Sequence, residues 1–210
     1  MSRRVVGVTL DNLEDLPKHC RACVYWELAP HLKEQAEEFG TTELEKEAWV
    51  SSVLLEWGSC GRIVYSDKLP VGFVLYAPPN AVPRASAFPT SPVSPDAVVL
   101  TGFHVVPEFR SGGMGRMLVQ AVAKDLTRRG VKAIEAFGDA QPDEEHSCVV
   151  PADFLLRVGF KTVRPHARWP RLRLELRSAL SWKEDVEAAL ERLLGTVTVS
   201  TASPSPALQR

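Results

Sequence analysis

The chain has 210 residues, 45 % hydrophobic and 24 % charged, with a formal net charge of -1 and a pI near 6.5. That composition is ordinary for a folded globular domain, and the length suits one domain with a short appendage. The near-neutral balance lacks the basic excess of a nucleic-acid binder, and no apolar run approaches the roughly 20 residues of a membrane-spanning helix. Arg3 and Arg4 stand near the start without a long apolar stretch behind them, which argues against a secretory leader, so the expected location is cytoplasmic.

Residues 3–10 read as an opening strand rich in β-branched side chains, with Asp11-Asn12 as a cap or turn. Leu13 to Phe39 is expected to be helical in pieces, interrupted at Pro30. His19, Cys20 and Cys23 could supply part of a metal site, but no second Cys-x-x-Cys completes one; in a reducing compartment the four cysteines read as thiols. Thr42 and Glu45 have capping-box spacing ahead of a helix to about Trp57, which Gly58 would end. Arg62–Tyr65 and Val71–Tyr76 form a predicted hairpin.

Residues 77–97 carry six prolines and read as a long loop. Ala97–Val106 is an apolar strand. A helix from about Gly113 follows, with Met114, Met117, Leu118, Ala121, Val122 and Leu126 on one face and Gly130 at its end. Val131–Phe137 is the next strand and Ala152–Val158 a short helix closed by Gly159. Lys161–Val163 and Arg171–Leu176 are late strands, joined by a basic stretch, Arg164–Arg171, read as a solvated loop. Trp182–Leu194 is an amphipathic helix capped by Ser181, and Thr196–Arg210 a Ser/Thr/Pro-rich tail.

The chemistry concentrates in the turn Arg110-Ser111-Gly112-Gly113-Met114-Gly115 between that strand and helix. The first N–H groups of a helix have no partners within it and lie at the positive end of its dipole. Glycines let a phosphate approach them without Cβ clashes, and Arg110 and Arg116 add charge. No Gly-Lys-Ser/Thr ending makes it a Walker loop, and the glycine spacing and mid-chain position do not fit a dinucleotide fingerprint.

Arg110-x-x-Gly113-x-Gly115 after an apolar strand and Pro107-Glu108-Phe109 resembles the acyl-CoA signature of the GNAT N-acetyltransferases. The order of elements and the pair Gly159-Phe160 extend the resemblance over about residues 3–176, within a domain expected to span 1–195. The resemblance implies an α/β fold, a central mixed, mostly antiparallel sheet with helices on both faces. It implies acetyl-CoA as acyl donor and a primary amine as acceptor, in a small molecule or a protein. Phe103, His104 and Val105 would pair with the pantetheine arm, and Arg110, Ser111, Gly112, Gly113, Met114, Gly115 and Arg116 would seat the pyrophosphate. A homodimer is compatible with this reading.

The sequence departs from the family where many members carry a general-acid Tyr, which here is Leu155; the residue often Asn corresponds to Cys148. Cys148, Ser147 and Tyr25 are the candidate acids. His104, Glu135 and Glu108 are the candidate bases. Glu27 reads as a solvated helix charge or as part of the acceptor wall. Tyr25, Trp26, Trp49 and Trp57 are an acceptor pocket or, by preference, core. The alternative to an enzyme is a catalytically inactive GNAT-like module that binds acyl-CoA as a sensor or a protein partner.

Overall fold

The computed structural model describes residues 2–142 and 148–176. The expected helix at 182–194 and the tail beyond it lie outside the described residues. The chain forms β1 (Arg3–Gly7), α1 (Lys18–Arg21), α2 (Pro30–Glu38), α3 (Thr42–Trp57), β2 (Gly61–Ser66), β3 (Leu69–Ala77) and β4 (Ala97–Val105). It continues with α4 (Met114–Arg128), β5 (Ala133–Asp139), β6 (Val150–Pro151), α5 (Ala152–Arg157), β7 (Lys161–Arg164) and β8 (Arg171–Glu175).

The strands build one sheet in the order β1-β2-β3-β4-β5-β8-β7, with the short β6 on β5. Among the described strands only β4/β5 and β5/β6 are parallel. The α4 stripe expected from the sequence packs Met114, Leu118, Val122 and Leu126 onto Val74, Leu100, Ile134 and Leu172 on one face of the sheet. On the other face Val50 and Val53 of α3 meet Ile63, Phe73, Leu75 and Val99. The expected mixed, mostly antiparallel α/β sheet with helices on both faces is what the chain forms.

Local differences have local causes. β1 stops at Gly7 because Asn12 Nδ2 takes the Gly7 carbonyl (2.8 Å) while Thr9 N–H donates to Asn12 Oδ1 (2.8 Å), starting a 3-10 turn at Leu10. The Thr42/Glu45 capping box does not form. α3 begins at Thr42 with Thr41 at its cap, and Glu45 N–H, which the Thr42 side chain would have had to bind, donates to the Thr41 carbonyl at 3.0 Å; Thr41 N–H in turn closes α2 on the Ala36 carbonyl (2.9 Å) around Gly40 at φ 66°. Gly58 (φ 83°) does end α3, as its place in the sequence implied.

The proline-rich segment 77–97 is better ordered than its composition suggests. Two 3-10 turns, Pro79–Ala81 and Pro83–Ala87, lead to Phe88, which stacks on both Trp26 (5.2 Å) and Phe137 (4.4 Å) with Trp169 edge-on at 5.7 Å. Thr90 Oγ1 donates to the Trp169 carbonyl at 2.9 Å. Trp26 and Trp49 are therefore core residues, with indole N–H groups on the carbonyls of Cys148 and Ala81, both at 2.7 Å.

Candidate active site

The groove starts where β4 and β5 part. Their parallel pairing covers only Ala97–Val99 against Ala133–Glu135. Beyond it β4 keeps β3 as its neighbour, while β5 continues against β8 and β6. A β-bulge helps turn β4 away. Between the pairs Val74↔Phe103 and Tyr76↔Leu100, two residues, Thr101 and Gly102, oppose the single Leu75. The β5-facing edge of β4 from Leu100 to Val105 thus carries backbone groups that no strand among the described residues pairs.

At the end of that edge the chain makes a 3-10 turn, Pro107–Gly112, and enters α4 through Gly113. Gly113 has φ 76°, where a side chain strains the backbone, and an added Cβ there meets nothing within 4 Å. Among the described residues no side chain caps α4. Ser111, Gly112, Gly113 and Arg116 are exposed while Met114 and Gly115 are buried, so the crest leading into the helix opens to solvent. Exposed Arg110 anchors its Nε on the Val105 carbonyl at 3.0 Å, and Arg116 leans on the Arg157 carbonyl at 3.5 Å. Arg3 joins them from β1, donating to the Gly112 carbonyl at 3.1 Å. Sequence reading missed Arg3, since nothing local links positions 109 residues apart. Gly115 is fixed for another reason: an added Cβ would lie 2.8 and 3.0 Å from the Phe154 ring and 3.4 Å from Phe103. The donor set and the open crest fit the pyrophosphate that the signature implies.

His104 lies on the α1 face of β4. Its ring is 5.9 Å from that of His19, edge-on, and 6.2 Å from that of Phe73, stacked. Burial, then the charge of His19, then that of Arg110 hold its pKa below the usual 6.5, which leaves a neutral imidazole at pH 7. Such a ring is unprotonated and available as a proton acceptor, though a weaker base than a free imidazole.

Glu135 has a different environment. It is fully buried at the parting of the strands and bonded to Arg171, to Arg173 (3.0 Å) and to the Ser94 backbone N–H (3.2 Å). Burial alone would raise its pKa, but the Ser94 bonds, Arg173 and the charge of Arg171 outweigh it and hold the carboxyl below its ordinary value. Glu135 and Arg173 face each other in the β5/β8 register. A sequence signal existed: arginines at i and i+2 share one face of an apolar strand and need a buried anion. Arg171 is correspondingly buried rather than part of a solvated loop.

Cys148 immediately precedes the turn into β6 at the open end of the groove. Its sulfur lies 3.0 Å from that of Cys23, and its thiol is raised first by that hydrogen bond and then by burial. Cys23 responds oppositely. The bond from Cys148, against burial and with help from the Tyr25 backbone N–H and Lys46, lowers it to about 7, although Glu27 opposes this. Glu27 is not a solvated helix charge: it lies buried between α1 and α2, ion-paired with buried Lys46 and accepting the Trp26 N–H at 3.2 Å. Leu155 is fully buried, Glu108 is exposed on the turn, and Ser147 lies outside the described residues. Tyr25 sits under the Arg84 guanidinium, 4.4 Å from its ring centre. Among the described residues no three His, Cys, Asp or Glu side chains converge to hold a metal, and no helix is long and apolar enough to cross a membrane.

The α/β sheet thus parts between β4 and β5 and leads into a glycine-crested helix. The family model described as "Acetyltransferase (GNAT) family" matches residues 22–160, and the chain belongs to that family. The fold is similar to that of the PaiA N-acetyltransferase of Thermoplasma acidophilum in complex with coenzyme A: TM-score 0.56, 13 % identity, covering 83 % of this chain and 99 % of that one. It is similar also to YncA of Salmonella typhimurium, a putative acetyltransferase with acetyl-CoA: TM-score 0.54, 12 % identity, 84 % and 95 % covered. An N-acetyltransferase of Staphylococcus aureus Mu50 aligns with TM-score 0.55 at 12 % identity, over 84 % and 99 % of the two chains. No protein of curated function matches the chain by sequence.

Proposed function

We propose that this protein transfers an acetyl group from acetyl-CoA to a primary amine by direct attack. The observation that carries the reading is the continuous path from the bulged, unpaired edge of β4 to the exposed N-terminus of α4, with His104 on the strand between. Acetyl-CoA would supply an activated thioester. The backbone of Phe103, His104 and Val105 would hold its pantetheine arm, and residues 110–116 its pyrophosphate.

His104 is the base we assign, taking the proton of the attacking amine at its imidazole, because it is the half-buried candidate kept neutral at pH 7. Glu135 is tied to two arginines and serves as a positioning residue at the parting of the strands. The buried Leu155 favours one rival reading, a module that binds acyl-CoA without turning it over.

Calorimetric titration with acetyl-CoA, followed by turnover with a panel of amines, separates the two. Micromolar binding lost in Gly113→Glu, together with amine-dependent release of CoA, supports the enzyme. Binding without turnover supports the module. Unchanged affinity in Gly113→Glu would remove the proposed seat.

A further inference from the structure

We propose that Cys23 and Cys148 are a redox-active pair that closes to a disulfide under peroxide, clamping the segment after α1 to the segment before β6. The pair joins residues 125 positions apart at the open end of the groove, with a sulfur separation of 3.0 Å. That is about 1 Å more than a disulfide bond, within reach of a small side-chain rotation. The backbones are already brought together, since Trp26 Nε1 donates to the Cys148 carbonyl at 2.7 Å. Both cysteines are partly exposed, whereas Cys60 is buried.

The alternative use of two thiols, a shared zinc, needs two further ligands, and among the described residues no group of three His, Cys, Asp or Glu side chains converges.

The chemistry has a defined order. Cys23 has the Tyr25 N–H and the Cys148 thiol as donors, and Lys46 nearby, so it carries the negative charge. Cys20 is held protonated, its thiol pushed up to about 12 by burial, then by Cys23 and Glu27, against Lys46. The Cys23 thiolate attacks a hydroperoxide oxygen, forming a sulfenic acid as the O–O bond breaks and water or an alcohol leaves. The Cys148 sulfur then attacks the Cys23 sulfur, the S–O bond breaks, and the thiol proton leaves in a second water. Two thiols and one peroxide give one disulfide and two such leaving molecules.

The disulfide does not depend on the acyl-transfer reading. Its consequence does: α1 carries His19, the neighbour of His104, so the clamp would hold the acceptor side of the groove in one arrangement.

Peptide mapping of the full chain tests the inference without any activity measurement. Trypsin places Cys20, Cys23 and Cys148 on separate peptides, residues 19–21, 22–33 and 133–157. After treatment with hydrogen peroxide and alkylation, peptides 22–33 and 133–157 should appear joined, two hydrogens lighter, and separate after reduction. Cys148→Ser should lose the link and Cys20→Ser should keep it. Closing so long a loop should also raise the thermal midpoint of the wild-type chain by roughly 5–15 °C on oxidation. Cys23 recovered as a sulfinic acid with no cross-link, Cys23 joined to residues 19–21, or both cysteines recovered unmodified would each overturn it.

Discussion

Replacing Glu135 with Gln separates the two roles that this residue could have. The substitution keeps size and one carbonyl oxygen but removes the charge that Arg171 and Arg173 face at the parting of β4 and β5. Arg171 is 9 % exposed and Glu135 not at all, so neither can recover its loss from water. Removing one partner of a buried ion pair costs about 3–5 kcal/mol. In a chain of this size each kcal/mol moves the midpoint by about 2–4 °C, so the expected drop is roughly 6–20 °C. Thermal unfolding followed by circular dichroism at pH 7 measures it.

The pH dependence provides a second reading of the same substitution. The folded pKa of Glu135 is depressed, so its stabilisation is present above the unfolded value and is lost as pH falls through the lower, folded one. The gap between wild type and Glu135→Gln should therefore narrow below about pH 4. A midpoint within about 2 °C of wild type, combined with collapse of acetyl transfer, would refute the structural assignment and make Glu135 the proton acceptor.

His104→Gln should lower kcat by roughly 100-fold or more while acetyl-CoA binding stays within a few-fold. The acid limb of wild-type kcat/KM should fall at a pH below 6.5, because the folded imidazole protonates only there; steady-state rates from pH 5 to 8 would show it. Gly115→Ala forces a methyl group against the Phe154 ring, which a denaturant melt should register as a loss of about 1–3 kcal/mol, with weaker CoA affinity. Alkylation of Cys23 by iodoacetamide, read on peptide 22–33, should rise with pH through about 7 instead of the ordinary thiol range near 8.5, and Cys148→Ala, which removes the donor, should move it upward.

What the sequence revealed was carried by short-range rules. The α4 stripe, the helix-ending Gly58 and Gly130, the hairpin and the glycine crest at 112–115 each depend on spacing within one or two turns. What it concealed was carried by the fold. The pairing of Glu135 with Arg171 and Arg173, the reach of Arg3 to Gly112 and the meeting of Cys23 with Cys148 join positions 36 to 125 residues apart. The proline count of residues 77–97 said nothing of Phe88, whose order comes from aromatic neighbours on three other segments. The Thr42/Glu45 box failed because the helix starts one residue earlier than the box needs, so that Glu45 N–H goes to the Thr41 carbonyl.

The bulge opposite Leu75 also has a thermodynamic consequence. By steering β4 from β5 it leaves a run of peptide groups that no strand among the described residues pairs, inside a sheet otherwise paired across its width. A ligand laid along that run adds the interaction of a further strand, and it does so only when the sheet is assembled. Binding and folding are then linked: free ligand at 100 times its dissociation constant adds about 2.7 kcal/mol to the native state. The resistance of this protein to unfolding would therefore follow the concentration of its acyl donor, and a cell depleted of that donor would hold a less stable population of the same chain.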